Sequence, residues 1–133
     1  MHAFGAISYS YKSKLLFIEG TGKNGAFTQR DYLHQVLEKT IVGFLGAFQQ
    51  ISLLEGLQPQ FMEDSNSAHG YKSTTNLCAR WRKEHGITLF PHLSTNPDMN
   101  PIEKCWRRIK QGLHRLHQQP TNEAKMQAMV TAL

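Results

Sequence analysis

The sequence predicts a mixed α/β fold in which a sheet is flanked by helices. Residues 3–9 and 14–19 are apolar and β-prone, and the polar stretch from Ser10 to Ser13 joins them as a hairpin turn would. Further along, short apolar runs alternate with stretches whose apolar residues recur every three or four positions. A hairpin followed by alternating strands and helices indicates a mixed sheet, and a length of 133 residues suits one domain.

The elements follow in order. Gly20 to Gly25 forms a glycine-rich loop, after which Thr28 is placed to cap a helix carrying Leu33, Val36, Leu37, Ile41, Phe44 and Leu45 along one face. Gly43 and Gly46 weaken its far end, and residues 47–57 carry no decisive signal. A buried strand is expected at 58–63 and a loop from there to His69. A helix near 73–85 follows, burying Leu77 and Trp81 and stopping at Gly86, a residue suited to the position after a helix end. Ile87 to Phe90 reads as a short strand. The loop from Pro91 to Asn100 leads into a helix from Pro101, with Ile102, Trp106, Ile109, Leu113 and Leu116 at helical spacing and Lys104, Arg107, Arg108, Lys110 and Arg115 around the rest. Thr121 is expected to cap a final helix containing Met126, Met129 and Val130.

Composition narrows the classes. An apolar fraction of 40% is far from disordered composition. Cys78 and Cys105 lack the spacing of a zinc site, and the seven histidines fall in no tight ligand pattern, which points to a reducing compartment and away from a zinc enzyme. No secretory signal is visible, and the most apolar stretch, Ile41 to Phe48, is far too short to span a bilayer, so a soluble intracellular protein is expected. The net charge of +5 is uneven: residues 1–71 carry five Lys or Arg against six Asp or Glu, and residues 72–133 carry ten against four. A basic half of that kind favours a polyanionic partner.

Two acids have contexts suited to metal-dependent phosphate chemistry. Asp64 ends the run Pro59-Gln60-Phe61-Met62-Glu63-Asp64, where a strand would deliver a carboxylate at its edge; equally, Asp64 could begin an ordinary turn with Ser65 and Asn66. Glu103 sits at the third position of a helix capped by Asn100 and opened by Pro101, where the free backbone N–H groups favour an acid without any catalysis. The same forces would keep a metal-binding carboxylate ionised. His69 is open to reading as a surface histidine or as a hydrogen-bond partner for a substrate. Glu103, Arg107 and Lys110 recur at i, i+4 and i+7, as either a surface salt-bridge ladder or a metal ligand flanked by phosphate clamps. Gly20-Thr21-Gly22-Lys23-Asn24-Gly25 spells a dinucleotide fingerprint, but the acid that such a site needs about twenty residues on would fall inside a helix. A flexible connection is the better reading.

Taken in order, four segments resemble the catalytic domain of Tc/mariner-type DDE transposases, closest to versions found in fungal genomes. They are Phe4-Gly5-Ala6-Ile7-Ser8-Tyr9, then Phe17-Ile18-Glu19-Gly20, then Asp64 with His69, and last Ser94-Thr95-Asn96-Pro97-Asp98-Met99-Asn100-Pro101-Ile102-Glu103 followed by Trp106 and Lys110. The resemblance implies a ribonuclease-H-like mixed sheet in which three carboxylates hold two divalent metals, Mg²⁺ or Mn²⁺, for DNA cleavage and strand transfer. Asp64 maps to the second acid and Glu103 to the third, with His69 near the site and Lys104, Arg107, Arg108 and Lys110 on DNA phosphates.

In that family the first acid stands on a central strand upstream of the segment matching Phe4 to Tyr9, and a helix-turn-helix module precedes the catalytic domain. The expectation is therefore a partial catalytic domain over residues 1–133, lacking the central first strand and the helix-turn-helix module, and inactive alone. Either the hairpin pairs directly with the 58–63 strand, or a groove separates the two halves of the sheet; a complete five-stranded sheet would contradict both. The partners implied are DNA and either a second copy or another chain supplying the missing strand, with no membrane, no small-molecule cofactor, and a nuclear location. A nuclease-dead nucleic-acid-binding or interaction module of the same origin is the competing reading.

Overall fold

The computed structural model describes residues 2–8, 11–58, 60–64, 66–70, 73–91, 99–116 and 120–132. It is a mixed α/β structure whose chain divides into two compact units, one made of Ala3–Phe17 with Asn96–Leu133 and the other of Ile18–Thr95 with His2. Tyr9, Pro59, Ser65 and most of the loop expected between Pro91 and Asn100 lie outside the described residues, so the expectations placed on them have no structural counterpart.

The hairpin is present but short. β1 (His2–Phe4) pairs with β2 (Leu16–Ile18), and an isolated antiparallel bridge joins Ile7 to Lys12. Between these, Ser13 N donates to the Ala6 carbonyl and Ser13 Oγ accepts from Ala6 N. The serine side chain takes a backbone donor that a regular ladder would have used, and the regular strands stop short of it.

The glycine-rich loop is folded tightly rather than left as a flexible connection. Asp31 accepts from Thr21 N, Thr21 Oγ1, Thr28 N and Thr28 Oγ1, while Thr28 Oγ1 accepts from Asp31 N in a reciprocal capping box. Burial opposes ionisation of Asp31, but hydrogen bonds from Thr21 and Thr28 outweigh it and hold its carboxyl well below the usual carboxylate range. A carboxylate from the chain itself therefore occupies the helix start where a nucleotide phosphate would have to bind. Gly20 is required here, because a Cβ at that position would overlap the Gly25 carbonyl.

From Thr28 one helical run extends to Glu55: α1 (Gln29–Asp31), a π-helical stretch (Tyr32–Ile41) and α2 (Val42–Glu55). Bonding of i to i+5, as from Val42 N to the Leu37 carbonyl, places residues four and five apart on one face, and Tyr32, Val36, Leu37 and Ile41 are all buried there. Leu33 and Leu45 of the expected face are only half-buried. The helix passes through Gly43 and Gly46, places 47–55, and ends at Gly56, whose φ of +67° allows the left-handed cap.

β3 (Gln60–Phe61) pairs in parallel with β4 (Thr88–Leu89), Gln60 against Thr88 and Phe61 against Leu89, and Phe90 N extends the ladder to the Phe61 carbonyl. Both strands are shorter than the runs 58–63 and 87–90 that the sequence suggests. Among the described residues the two strand pairs are separate sheets, so the hairpin does not pair directly with β3 and no five-stranded sheet forms. α3 (Leu77–Glu84) begins four residues later than expected, because Ser73 Oγ accepts from Thr75 N and Asn76 N in a turn, and Asn76 caps the helix through Cys78 N. It ends at Gly86 as expected, but buries Cys78, Trp81 and Arg82 rather than Leu77. α4 (Pro101–His114) and α5 (Glu123–Ala132) complete the chain.

The fully buried apolar side chains among the described residues, including Tyr32, Val36, Leu37 and Cys78, belong to the Ile18–Thr95 unit. In the other unit α4 has none, although the backbone at Gly5 lies close against the Trp106 ring. No helix of the described residues is long and apolar enough to cross a membrane.

Candidate functional site

Asp64 lies in a turn after β3 rather than at a strand edge. Its Oδ1 accepts from Asn66 N at 3.1 Å, the ordinary reading of an aspartate that begins a turn, and lies 2.7 Å from His69 Nδ1. A short 3₁₀ turn, Ser67–His69, capped by Asn66 through Ala68 N, brings His69 back over Asp64. The Asp64 side chain is 64% exposed and the His69 side chain 13%, so the pair joins an open carboxylate to a largely enclosed imidazole.

What encloses His69 is a buried polar group that sequence reasoning missed. Its ring stacks on Tyr32 with centroids 3.9 Å apart and planes 30° from parallel. Tyr32 Oη donates to Glu63 Oε2 at 2.7 Å. Arg82 Nη1 lies 2.7 Å from Glu63 Oε1, a charge contact without the alignment of a hydrogen bond, and donates to the His69 carbonyl at 2.9 Å. Burial pushes the Glu63 carboxyl upward against the opposing pull of Arg82 and the Tyr32 hydroxyl. Burial, followed by the Glu63 charge, raises the Tyr32 phenol, and burial pushes the Cys78 thiol up to about 11. A signal existed in the sequence: Glu63 falls inside the apolar run, and Arg82 lies four residues after Cys78 on the α3 face that also holds Trp81.

Glu103 is half-buried at the third position of α4, with its N–H donating to the Asn100 carbonyl and Asn100 Oδ1 capping Ile102 N at 3.3 Å. The structure thus bears out Asn100 as cap and Pro101 as first helical residue. Lys104, Arg107, Arg108 and Lys110 are all exposed on α4, together with His114 and Arg115, while Ile102, Cys105, Trp106, Ile109 and Leu113 are half-buried. The unit carrying this helix holds eight Lys or Arg against three Asp or Glu, and the other unit holds seven of each, so the whole formal charge of +5 resides in the first. The structure brings Asp64 and His69 together in one unit and gathers the four cations on one helix with Glu103 in the other.

Carboxylate oxygens suit a hard cation such as Mg²⁺, which takes near-octahedral oxygen coordination. By donor chemistry Asp64 and Glu103 fit that group. Among the described residues no cluster of three His, Cys, Asp or Glu stands ready to hold a metal ion. No family model matches the chain, and no curated protein or solved structure matches it.

Proposed function

We propose that this chain is part of a Tc/mariner-type DDE transposase catalytic domain, ribonuclease-H-like in its complete form, that engages DNA in the nucleus. The observation that carries the reading is the exposed row of Lys104, Arg107, Arg108 and Lys110 on a helix whose start is the Asn100-Pro101-Ile102-Glu103 motif. Cations on one exposed helix side, in the unit that holds all the net charge, suit phosphate contacts, which position a duplex without reading its bases. Asp64 and Glu103 are the proposed ligands for Mg²⁺ or Mn²⁺, which when bound supplies Lewis-acid activation of the attacking and leaving oxygens.

The second reading, a binding module without nuclease activity, is favoured by one observation: the Asp64 carboxylate is already engaged by His69 and by the Asn66 backbone. Incubation with duplex DNA and Mg²⁺ or Mn²⁺, beside Glu103→Ala, separates the two. Metal-dependent cleavage lost in the variant supports the enzyme. Salt-sensitive binding with equal product, or none, from both proteins supports the module. Failure to bind DNA at all defeats both.

A further inference from the structure

We propose that the exposed side of α2 is a contact surface for a second copy of this chain, the two helices running antiparallel about a two-fold axis midway between positions 47 and 48. The proposal is independent of the DNA reading, since it uses neither α4 nor the Asp64 turn.

α2 is two-sided. Phe44 is buried and Leu45, Phe48 and Ile51 are half-buried along one side. Along the other, Val42, Gly46, Gln49 and Leu53 are all exposed, at successive spacings of four, three and four. That alternation keeps side chains on the strip by which one helix packs against another. Leu53 and Leu54 are each 87% exposed, Val42 46%, and Leu57, just past the helix cap, 57%. Apolar groups gathered in this way mark a surface that a partner covers. Nothing lies within 4 Å of where a Cβ would stand on Gly43 or Gly46, so a second helix can approach closely there.

Charge and symmetry identify the occupant. No residue from Thr40 to Leu54 is charged, so the strip offers nothing to phosphates, to a charged peptide or to an anionic membrane. The unit carrying α2 holds seven Lys or Arg and seven Asp or Glu, so two such units meet without net repulsion. The strip also matches itself when reversed. Paired antiparallel about its midpoint, Val42 opposes Leu53 of the second copy and Gly46 opposes Gln49. Apolar meets apolar, and the longest polar side chain meets the gap left by the smallest residue. Each contact then occurs twice, as a two-fold interface requires. An unrelated helix would have to supply that order, whereas a second copy carries it already. From Val42 to Leu53 the helix runs about 17 Å, too short to cover the roughly 800 Å² per partner of a standard interface. The expected dimer is therefore reversible and weaker than about micromolar.

The test is sedimentation equilibrium of the full chain from micromolar to near-millimolar concentration, with circular dichroism to confirm folding. The average mass is expected to rise with concentration toward that of a dimer and no further. Leu53→Glu places a charge in the strip and is expected to weaken association by about tenfold or more. Gln49→Glu keeps the side-chain size, sets two negative charges near the axis, and is expected to act in the same direction. Val42→Lys alone is expected to weaken association as well. Val42→Lys/Leu53→Glu, which sets opposite charges across the antiparallel pair, is expected to associate more tightly than either single variant. A chain that stays monomeric throughout overturns the proposal and leaves the strip to another protein or a lipid surface. Growth beyond the dimer overturns it too, as does unchanged association in folded Leu53→Glu and Gln49→Glu. A double variant no tighter than the weaker single variant overturns the antiparallel pairing on which the proposal stands.

Discussion

Glu63 and Arg82 meet at 2.7 Å with both side chains 4% exposed, so a carboxylate and a guanidinium are withdrawn from water together at the centre of the larger unit. Such a pair adds little net stability, because desolvating both ions offsets their attraction, yet breaking it strands a buried charge. Arg82→Ala is therefore expected to lower unfolding free energy by about 3–5 kcal/mol in a denaturant titration. Glu63→Leu/Arg82→Met should recover most of that loss. A double variant as unstable as Arg82→Ala would show that the pair contributes through something other than its charges.

Gly70 has a φ of +70° and packs where a Cβ would overlap the side chain of Asn76, the cap of α3. Gly70→Ala must adopt a left-handed backbone, costing about 1–2 kcal/mol, and displace a cap worth about 1 kcal/mol. Thermal unfolding should register a loss near the sum of these. A neutral effect would mean that Gly70 does not pack against the Asn76 side chain as described.

Two carboxyls give opposite pH signatures. Asp31 is held below the usual carboxylate range, so its contribution is present above its unfolded pKa and is lost as pH falls through the folded value. Glu63 is raised, so its protonated form favours folding, and that contribution is lost as pH rises through the folded value. Asp31→Asn should accordingly flatten the acid side of a stability–pH curve below about pH 4. An acid limb unchanged in Asp31→Asn would contradict the loop-pinning role of that residue.

What the sequence disclosed, and what it hid, follows from the range of the interactions. Local signals were legible: Thr28, Asn100 with Pro101, and Gly86 mark helix ends because capping involves residues only a few positions apart. The turn that Asp64 begins is the plainer of the two readings its sequence context allows, but the strand expected to end at 63 stops at Phe61, and the enclosed acid is Glu63. That exchange depends on Arg82 and Tyr32, which are 19 and 31 positions away in the chain. The helix through Gly43 and Gly46 to Glu55 defeated the propensity argument, which costs a glycine only about 1 kcal/mol each, within reach of the burial of Ile41 and Phe44. From the sequence the glycine-rich loop reads as flexible because its anchor, Asp31, lies beyond it, inside the helix.

Glu103 at the third position of α4 is expected to be separable from the basic side of that helix. Glu103→Gln should leave DNA affinity within about threefold, since one neutralised acid alters a phosphate-binding surface modestly. The same substitution should abolish any Mg²⁺-dependent cleavage that the chain supports. A large loss of affinity in Glu103→Gln, measured without metal, would place the acid in the binding surface instead.

The most direct measurement is the salt dependence of duplex DNA binding, comparing the unaltered chain with Arg107→Ala/Arg108→Ala/Lys110→Ala. If α4 carries the phosphate interactions, log affinity falls steeply with log salt, and the triple variant lowers that slope by about 0.9 for each phosphate no longer neutralised, so by roughly 2 to 3 in all. Equal slopes and affinities in a folded triple variant would contradict DNA engagement through this helix.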